Sequence, residues 1–182
     1  AAAAKGVNIY PVDSEHSAIY QCLQGNSMNR ISKIILTASG GPFFGRTRDE
    51  LSNVTVEQAL AHPTWSMGRK ISIDSATMAN KGLEVIEAHQ LFDFDYDKIS
   101  VLIHPQSLIH SMIECNDGEL YAQIGPKDMS LPIQNAIFYP DMQQNSYNRL
   151  DLTQGLTLEL LPADLSKYRM LQFAYDVGRK GG

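Results

Sequence analysis

The sequence has few cysteines, few basic residues and no long apolar run, and each shortage excludes a class of protein. Cys22 and Cys115 are its only cysteines, too few for a disulfide scaffold, which favours a reducing compartment. Lys and Arg number 15 against 20 Asp and Glu, so the net charge is −5 and a basic surface for nucleic acid or anionic lipid is not expected. No apolar run approaches the ~20 residues of a membrane span, and no signal peptide or glycine-rich dinucleotide fingerprint is visible. We therefore expect neither nucleic acid nor membrane as a partner.

The chain is long and apolar enough to bury one sizeable core, with 182 residues of which 43% are hydrophobic. The Asn-Asp-Gly sequence at 116–118 is a hairpin signal, so we expect part of the sheet to be antiparallel. The pattern predicts an α/β (α+β) fold, a mixed sheet with helices on one face and a flat opposite face available to a partner. The predicted strands are 7–11, 31–38, 99–104 and 119–124, and the predicted helices are 17–23, 55–62, 76–92, 131–138 and 165–178.

The segment 73–84 concentrates more reactive side chains than any other. We predict that Ser75 or Thr77 caps a helix there that continues to residue 92. A helix N-terminus with a hydroxyl group suits a phosphate, because its free N–H groups and its dipole both favour an anion. The alternative for this segment alone is an ordinary capped helix with a solvated polar face.

Three further side chains of this helix, Asn80, Lys81 and Glu84, are predicted to lie near one face, since positions three and four apart are neighbours on a helix. The lysine suits the same phosphate. A carboxylate one turn further along, beside that anion, makes most sense if a divalent cation joins the two. The segment therefore indicates a site for a phosphorylated substrate and a metal.

Two more carboxylates, Asp13 and Glu15, end a short apolar run early in the chain. If a strand continues there, positions i and i+2 point to one face; if a helix begins at Ser14, the pair brackets its N-cap. In either case two hard oxygen ligands converge, and Glu84 would complete the set that Mg²⁺ or Mn²⁺ needs. An acidic helix start without a metal is the alternative. Spacing alone also leaves Glu87 open as a ligand.

Two loop candidates carry further polar groups. Ser39 opens a Ser-Gly-Gly-Pro turn directly after an apolar run, where α/β proteins hold ligands. Residues 61–70 include the only tryptophan, Trp65, between a His62-Pro break and Gly68. This composition indicates a lid that closes over a substrate and excludes water. The alternative is a surface loop pinned by Trp65 in a satellite core.

Four motifs, in this order, resemble those of the 1-deoxy-D-xylulose 5-phosphate reductoisomerase family. They are Asp-Ser-Glu-His (13–16), Ser-Gly-Gly-Pro-Phe (39–43), His-Pro-x-Trp-x-Met-Gly-x-Lys (62–70) and Asp-Ser-Ala-Thr-Met-x-Asn-Lys-Gly-Leu-Glu (74–84). Residues 103–110 and 125–129 extend the resemblance, which covers about residues 7–182. It implies an NADP-dependent oxidoreductase and isomerase that converts 1-deoxy-D-xylulose 5-phosphate into 2-C-methyl-D-erythritol 4-phosphate, in the methylerythritol phosphate pathway of isoprene biosynthesis. It also implies a homodimer whose fold is like the catalytic domain of glyceraldehyde-3-phosphate dehydrogenase.

The resemblance assigns NADPH and a divalent metal as cofactors, with Mg²⁺ or Mn²⁺ as the metal and Co²⁺ as a further option. The metal ligands it implies are Asp13, Glu15 and Glu84. Met129, with Gly125, corresponds to the nicotinamide contact. Lys127 stands where the family usually has a proline, so the shape of that loop is open.

The remaining roles are also carried over position by position. The implied phosphate ligands are Ser39, Ser75, Asn80 and Lys81. Ser14 corresponds to a contact with a substrate hydroxyl, and His62 and Trp65 correspond to the lid and complete the catalytic set. His104 and His110 are expected to support the site without binding the metal.

The resemblance also predicts a domain organisation. Residues 1–150 would form the catalytic domain that binds metal and phosphosugar, and residues 151–182 would begin a C-terminal linker region. An N-terminal NADPH-binding domain and a C-terminal helical domain are expected outside this chain, so we expect the isolated chain to be inactive. The implied location is the bacterial cytoplasm or a plastid. Two alternatives are another metal-dependent phosphosugar enzyme and a non-catalytic module that binds metal and phosphate or mediates dimerisation.

Overall fold

The computed structural model describes residues 2–147 and 149–181. Within them the chain forms seven α-helices, one five-stranded mixed sheet and four short 3-10 turns. The helices are α1 (Ala2–Lys5), α2 (Ser14–Leu23), α3 (Val56–Leu60), α4 (Arg69–Thr77), α5 (Ala79–Phe92), α6 (Ser130–Phe138) and α7 (Arg169–Arg179). The strands are β1 (Ile31–Ala38), β2 (Ile99–Ile103), β3 (Ile109–Cys115), β4 (Leu120–Ile124) and β5 (Leu161–Pro162). The 3-10 turns are Met28–Arg30, Asp49–Leu51, Tyr96–Lys98 and Leu152–Gln154.

The sheet has the strand order β4-β3-β1-β2-β5. β1 and β2 are parallel, with Ile34 opposite Ile99, and the other pairings are antiparallel. β1 is an apolar run rich in β-branched residues and is buried from Ile34 to its end, as the centre of a sheet requires. The predicted hairpin is confirmed, since β3 and β4 pair across the turn, where Gly118 takes a φ of 89°. The expected mixed sheet with helices is confirmed.

The strand predictions 31–38, 99–104 and 119–124 are confirmed to within one residue at each end. The prediction of a strand at 7–11 is wrong, because that segment has no regular structure and no strand partner in the described part of the chain. An apolar pattern normally indicates a buried strand, but Val7 and Ile9 are exposed in this segment. The pattern was therefore misleading here. The sequence pattern also missed β3 and β5.

The main core lies between the sheet and helices α2, α5 and α7. Ile34 and Leu36 of β1 pack there with Val85 of α5 and Leu171 of α7, and all four side chains are fully buried. Burying each such side chain contributes about 1.5–3 kcal/mol. A glycine lets α5 and α7 approach closely, since a Cβ added at Gly82 would lie 2.8 Å from a side-chain atom of α7. Alternate residues of β1 reach the other face, where Ile35 belongs to a smaller cluster.

The predicted helix 76–92 is two helices, α4 and α5, separated by Met78 in the left-handed conformation (φ 60°). The N-cap of α5 is Met78, without a side-chain cap, and both Ser75 and Thr77 lie in the last turn of α4. The prediction that Ser75 or Thr77 caps the helix is therefore wrong. The Thr77 hydroxyl accepts a long hydrogen bond from the Ala79 N–H at 3.3 Å. The Met78 side chain is 2% exposed, so its burial accompanies a backbone conformation that methionine rarely adopts. The break makes α5 a separate helix that begins next to Asn80 and Lys81.

The other helices lie where predicted, with shifted ends: α2 begins three residues earlier, at Ser14, and α7 begins four residues later, at Arg169. Both β5 and α7 lie beyond residue 150, yet β5 pairs with β2 and α7 packs against α5. The boundary at residue 150 stays a prediction, as does the likeness to the dehydrogenase domain. None of the helices in the described residues is long and apolar enough to cross a membrane.

Candidate functional site

One pocket of about 300 Å³ brings together nearly all of the predicted site residues. It lies where the end of β1, the start of α2, the junction of α4 with α5 and the 62–67 segment meet. The predicted residues that line it are Asp13, Ser14, Glu15, Ser39, His62, Trp65, Ser75, Asn80, Lys81, Glu84 and Met129. Gly125 does not line it and lies beside His110, which does.

The three carboxylates come from two helices that pack together. Asp13 is the N-cap of α2 and accepts a hydrogen bond from the Glu15 N–H, so the pair brackets a helix start and does not lie on a strand. Glu84 projects from the second turn of α5. One oxygen atom from each carboxylate lies within 4.8 Å of the others. An all-oxygen set of this kind suits Mg²⁺ or Mn²⁺.

A buried lysine balances part of this negative charge. The Lys81 ammonium donates to Glu15 Oε1 at 2.8 Å and also to Glu84, and the Asn80 amide donates to Glu84 as well. Lys81 is 4% exposed. Its burial alone would lower its pKa, but the charges of Glu15 and Glu84 raise that pKa above its usual value. Lys81 therefore remains charged. In this structure the Lys81 ammonium and the Asn80 amide both donate to carboxylates of the site.

The surplus of negative charge affects the carboxylates unequally. Burial, followed by the charge of Glu15, raises the pKa of Glu84 well above its usual value, although Lys81 opposes the shift. For Asp13, burial would also raise the pKa, but His16 and Lys81 hold it well below its usual range. Glu84 thus accepts a proton more readily than Asp13 does when no metal balances the charge.

The Ser39 and His62 side chains are joined by a hydrogen bond of 2.9 Å between Ser39 Oγ and His62 Nε2. The Nδ1 atom of His62 accepts from the backbone N–H groups of Thr64 and Trp65, at 3.3 and 3.0 Å. His62 must therefore carry its proton on Nε2 and donate it to Ser39. Ser39 Oγ also accepts from the Gly41 N–H, so its own proton is free to point into the pocket.

Trp65 is partly buried and does not belong to either core cluster of the described residues. Its ring centroid lies 6.5 Å from that of His110, across the pocket. Residues of the 62–67 segment thus line the pocket, and His62 holds the segment through its hydrogen bonds. The lid stays a prediction.

His104 and His110 hold the opposite wall. His104 is fully buried, with Nδ1 donating to the Glu159 carbonyl at 2.7 Å and Nε2 accepting from the Leu108 N–H. His110 contacts the Pro126 carbonyl at 3.3 Å and so ties β3 to the loop before Met129. The supporting role of the two histidines stays a prediction.

The pocket also has walls formed by residues that were not predicted as site residues, mainly Thr37, Ala38, Ser66, Met67, Ile71, Met78, Ser107 and Ile109. Met67 and Met78 stand in the motifs at 62–70 and 74–84, and Ser107 lies in the 103–110 stretch, so the resemblance offered a signal for all three. Ile71 carried none, since an apolar residue on a helix looks the same whether it faces a core or a pocket.

Comparison with known proteins places the chain in one family. Two family models match: "1-deoxy-D-xylulose 5-phosphate reductoisomerase C-terminal domain" over residues 9–92 and "DXP reductoisomerase C-terminal domain" over residues 124–182. A reductoisomerase of Clostridium acetobutylicum is 58% identical over 97% of this chain and 46% of the relative. One of Acetivibrio thermocellus is 57% identical over all of this chain and 48% of the relative. The chain thus spans about half the length of the curated relatives it matches.

Comparison with solved structures leads to the same family. A crystal structure of DOX-P reductoisomerase in complex with NADPH, fosmidomycin and magnesium has 45% identity and a TM-score of 0.91, over 98% of this chain and 46% of that one. The Zymomonas mobilis enzyme in complex with NADPH has 42% identity and a TM-score of 0.91, over 100% and 46%. The chain belongs to the 1-deoxy-D-xylulose 5-phosphate reductoisomerase family.

Proposed function

We propose that the protein carrying this chain uses NADPH and a divalent metal to isomerise and reduce 1-deoxy-D-xylulose 5-phosphate to 2-C-methyl-D-erythritol 4-phosphate. The observation that carries the proposal is the meeting of Asp13, Glu15 and Glu84 in a pocket that also holds Lys81 and several hydroxyl groups, within a chain of this family. Residues 1–150 would supply the metal and phosphosugar site.

The donor set fits the implied metal. Asp13, Glu15 and Glu84 offer hard oxygen ligands, and one ammonium cannot balance three carboxylates, so the site has an unmet demand for positive charge. When bound, Mg²⁺ or Mn²⁺ would polarise substrate oxygens as a Lewis acid. A relative in the same family has been solved with magnesium, NADPH and fosmidomycin together. Co²⁺ is accommodated by the same oxygens.

The pocket also offers donors for a phosphate. Ser39 has a free hydroxyl proton, and Ser75 lies at the end of α4. Lys81 and Asn80 line the pocket beside the carboxylates. We propose that Lys81 and Asn80 turn towards the substrate once the charge of the carboxylates is otherwise balanced. Ser14, at the start of α2, would then contact a substrate hydroxyl group.

Residues that line the pocket suit two further roles, closure over the substrate and contact with the nicotinamide ring. His62 and Trp65 form a segment that can close over the substrate and exclude water. Met129 is 38% exposed and lies opposite, where a nicotinamide ring would pack on it, with Gly125 behind His110. Hydride transfer needs such a dry contact between nicotinamide and substrate.

Exposed apolar residues on β4 and on α6 support a homodimer as part of the proposal. Leu120 of β4 is 59% exposed and Ile137 of α6 is 69% exposed, with Ile133 and Phe138 beside it on α6. Apolar patches of this kind mark protein–protein interfaces. The sedimentation coefficient of the intact protein would show a dimer, and Ile137→Asp should shift it towards that of a monomer.

The function is tested by incubating the intact protein with 1-deoxy-D-xylulose 5-phosphate, NADPH and Mg²⁺. We expect one NADPH to be oxidised for each substrate consumed, and a product two hydrogen atoms heavier that is identified as 2-C-methyl-D-erythritol 4-phosphate by nuclear magnetic resonance. Isomerisation without NADPH oxidation, or no reaction, would instead favour another phosphosugar enzyme or a binding module.

A further inference from the structure

A second group of potential metal ligands lies behind the pocket, on the same two helices. Asp13 Oδ1 and Glu87 Oε1 each lie 3.7 Å from His16 Nδ1, and the ligand atoms of the three residues lie within 4.8 Å of one another. Asp13 belongs to both groups. His16 and Glu87 do not line the pocket.

The orientation of His16 leaves one of its nitrogen atoms without a partner. His16 Nε2 lies 2.9 Å from the Glu84 backbone carbonyl, and because a carbonyl only accepts, Nε2 carries the proton. Nδ1 faces two carboxylate oxygens. Burial would lower the pKa of His16, but Asp13, followed by Glu87, raises it, so the space between Nδ1 and the two carboxylates suits a proton or a metal ion. His16 is fully buried, and its Nδ1 has no hydrogen-bond partner among the described residues. A buried nitrogen atom that has no hydrogen-bond partner and faces two carboxylates calls for a cationic occupant, either a proton or a metal ion.

The separations favour a metal over a direct hydrogen bond. An N–H···O bond needs about 2.7–3.2 Å between the heavy atoms, which is shorter than the 3.7 Å found here for both carboxylates. Around a tetrahedral metal with bonds of about 2.0–2.1 Å, neighbouring ligand atoms lie roughly 3.4 Å apart. A small inward movement would therefore close all three atoms around one ion. The hydrogen bond from Nε2 to the Glu84 carbonyl fixes the direction of Nδ1, and the Phe92 ring lies parallel to the imidazole with its centroid 6.3 Å away.

We propose that Asp13, His16 and Glu87 form a second divalent-metal site, next to the oxygen-only site of Asp13, Glu15 and Glu84. One nitrogen and two carboxylate oxygens suit a borderline metal such as Zn²⁺ or Co²⁺ better than Mg²⁺. The carboxylate of Asp13 has two oxygen atoms, so one can serve each site, as in two-metal centres whose ions lie about 3.5–4 Å apart. The side chains of Asp13 and Glu87 are 34% and 42% exposed, which gives an ion access from solvent.

The test is a Co²⁺ titration of the intact protein in excess Mg²⁺, which occupies the oxygen-only site. We expect one Co²⁺ to be retained per chain, with an imidazole nitrogen among its ligands in the pulsed electron paramagnetic resonance spectrum. Glu87→Gln should weaken this binding about 10- to 100-fold, a typical effect of disturbing a metal site. Glu84→Gln alters only the other site and leaves the carbonyl that holds His16, so it should retain Co²⁺. Glu57→Gln, an exposed helical glutamate elsewhere, is the matched control.

Three results would each overturn the proposal: complete displacement of Co²⁺ by Mg²⁺, unchanged binding in Glu87→Gln, or a spectrum without nitrogen coupling. A proton or a water molecule would then be the occupant of this group. The outcome is separable from the proposed function. Substrate-dependent NADPH oxidation by a protein that retains no Co²⁺ would remove only the second site. Retained Co²⁺ without any turnover would remove only the reductoisomerase assignment.

Discussion

The Lys81 ammonium lies 2.8 Å from Glu15 Oε1, and this contact joins the first turn of α5 to the first turn of α2. Both groups are largely withdrawn from solvent, and Lys81 bonds to Glu84 at the same time. Lys81 thus supplies positive charge next to the carboxylates. A divalent cation would add to this charge or displace the ammonium group. A buried ion pair of this kind costs much to break, because the remaining charge stays buried without a partner.

The first prediction concerns the removal of this charge. Lys81→Met should lower the free energy of unfolding of the metal-free protein by about 3–5 kcal/mol, because Glu15 and Glu84 lose their partner. Mn²⁺ should restore more stability to the variant than to the wild type. Thermal melts with and without Mn²⁺ measure both effects. Lys70→Met is the control: Lys70 is 84% exposed and pairs with Asp74 at the surface, which is worth about 1 kcal/mol at most. Equal losses in the two variants would contradict the account.

The second prediction concerns Glu84 and pH. Its raised pKa means that the folded state prefers the neutral carboxyl group, so the stability it contributes is complete below the unfolded value of 4.5 and is lost as the pH rises through the folded value. Glu84→Gln mimics the neutral form. The metal-free variant should therefore melt a few degrees above the wild type at neutral pH, and this gap should close as the pH approaches 4.5. A gap that is constant with pH would show that Glu84 is not the group responsible.

The third prediction separates the two interpretations of Trp65. As a wall of the pocket outside the core clusters, Trp65 should tolerate replacement, and Trp65→Ala should cost about 1 kcal/mol of stability while weakening substrate binding in the intact enzyme. Phe92→Ala removes a buried core aromatic side chain and should cost about 3–5 kcal/mol. Denaturant unfolding of the two variants makes the comparison, and a similar loss in both would support the core-anchor alternative.

The fourth prediction uses the hydrogen bonds of His62. Burial lowers the pKa of His62, and protonation of Nδ1 would place a proton against the N–H groups of Thr64 and Trp65. The stability that His62 gives this segment is thus present above its unfolded pKa of about 6.5 and is lost as the pH falls through the lower folded value. The fluorescence of Trp65, the only tryptophan, should change over that range. His62→Gln should remove the transition, and an unchanged transition in that variant would assign it to another group.

The sequence predicted the centre of the fold better than its edges. Residues 31–38 form a run rich in β-branched residues, a pattern that indicates a buried strand. The segment 109–115 was missed because His110 and Glu114 interrupt its apolar pattern, and β5 is two residues long and depends on β2 for its existence. The break at Met78 was also not predictable, since methionine favours helices and the left-handed conformation is accompanied by burial in the assembled core.

The residues of the site were predictable from motifs, but their contacts were not. Asp13 and Glu84 are brought together by the packing of α2 against α5, which no local pattern encodes. Their convergence followed from the family resemblance and from the demand of a metal for oxygen ligands. The pairing of Lys81 with Glu15 and the orphaned nitrogen of His16 depend on side-chain directions across that interface, so only the structure reveals them.

The most direct test of the account is the dependence of NADPH oxidation on Mg²⁺ concentration, measured on the intact protein with 1-deoxy-D-xylulose 5-phosphate as substrate. The wild type should oxidise NADPH only with both substrate and metal present, with saturation as Mg²⁺ is raised. Glu84→Gln should need at least about 10-fold more Mg²⁺ or lose activity, because it lacks one of the three carboxylate ligands. No substrate-dependent oxidation by the wild type, or the same Mg²⁺ dependence in Glu84→Gln, would contradict the assignment of these carboxylates as the metal site of a reductoisomerase.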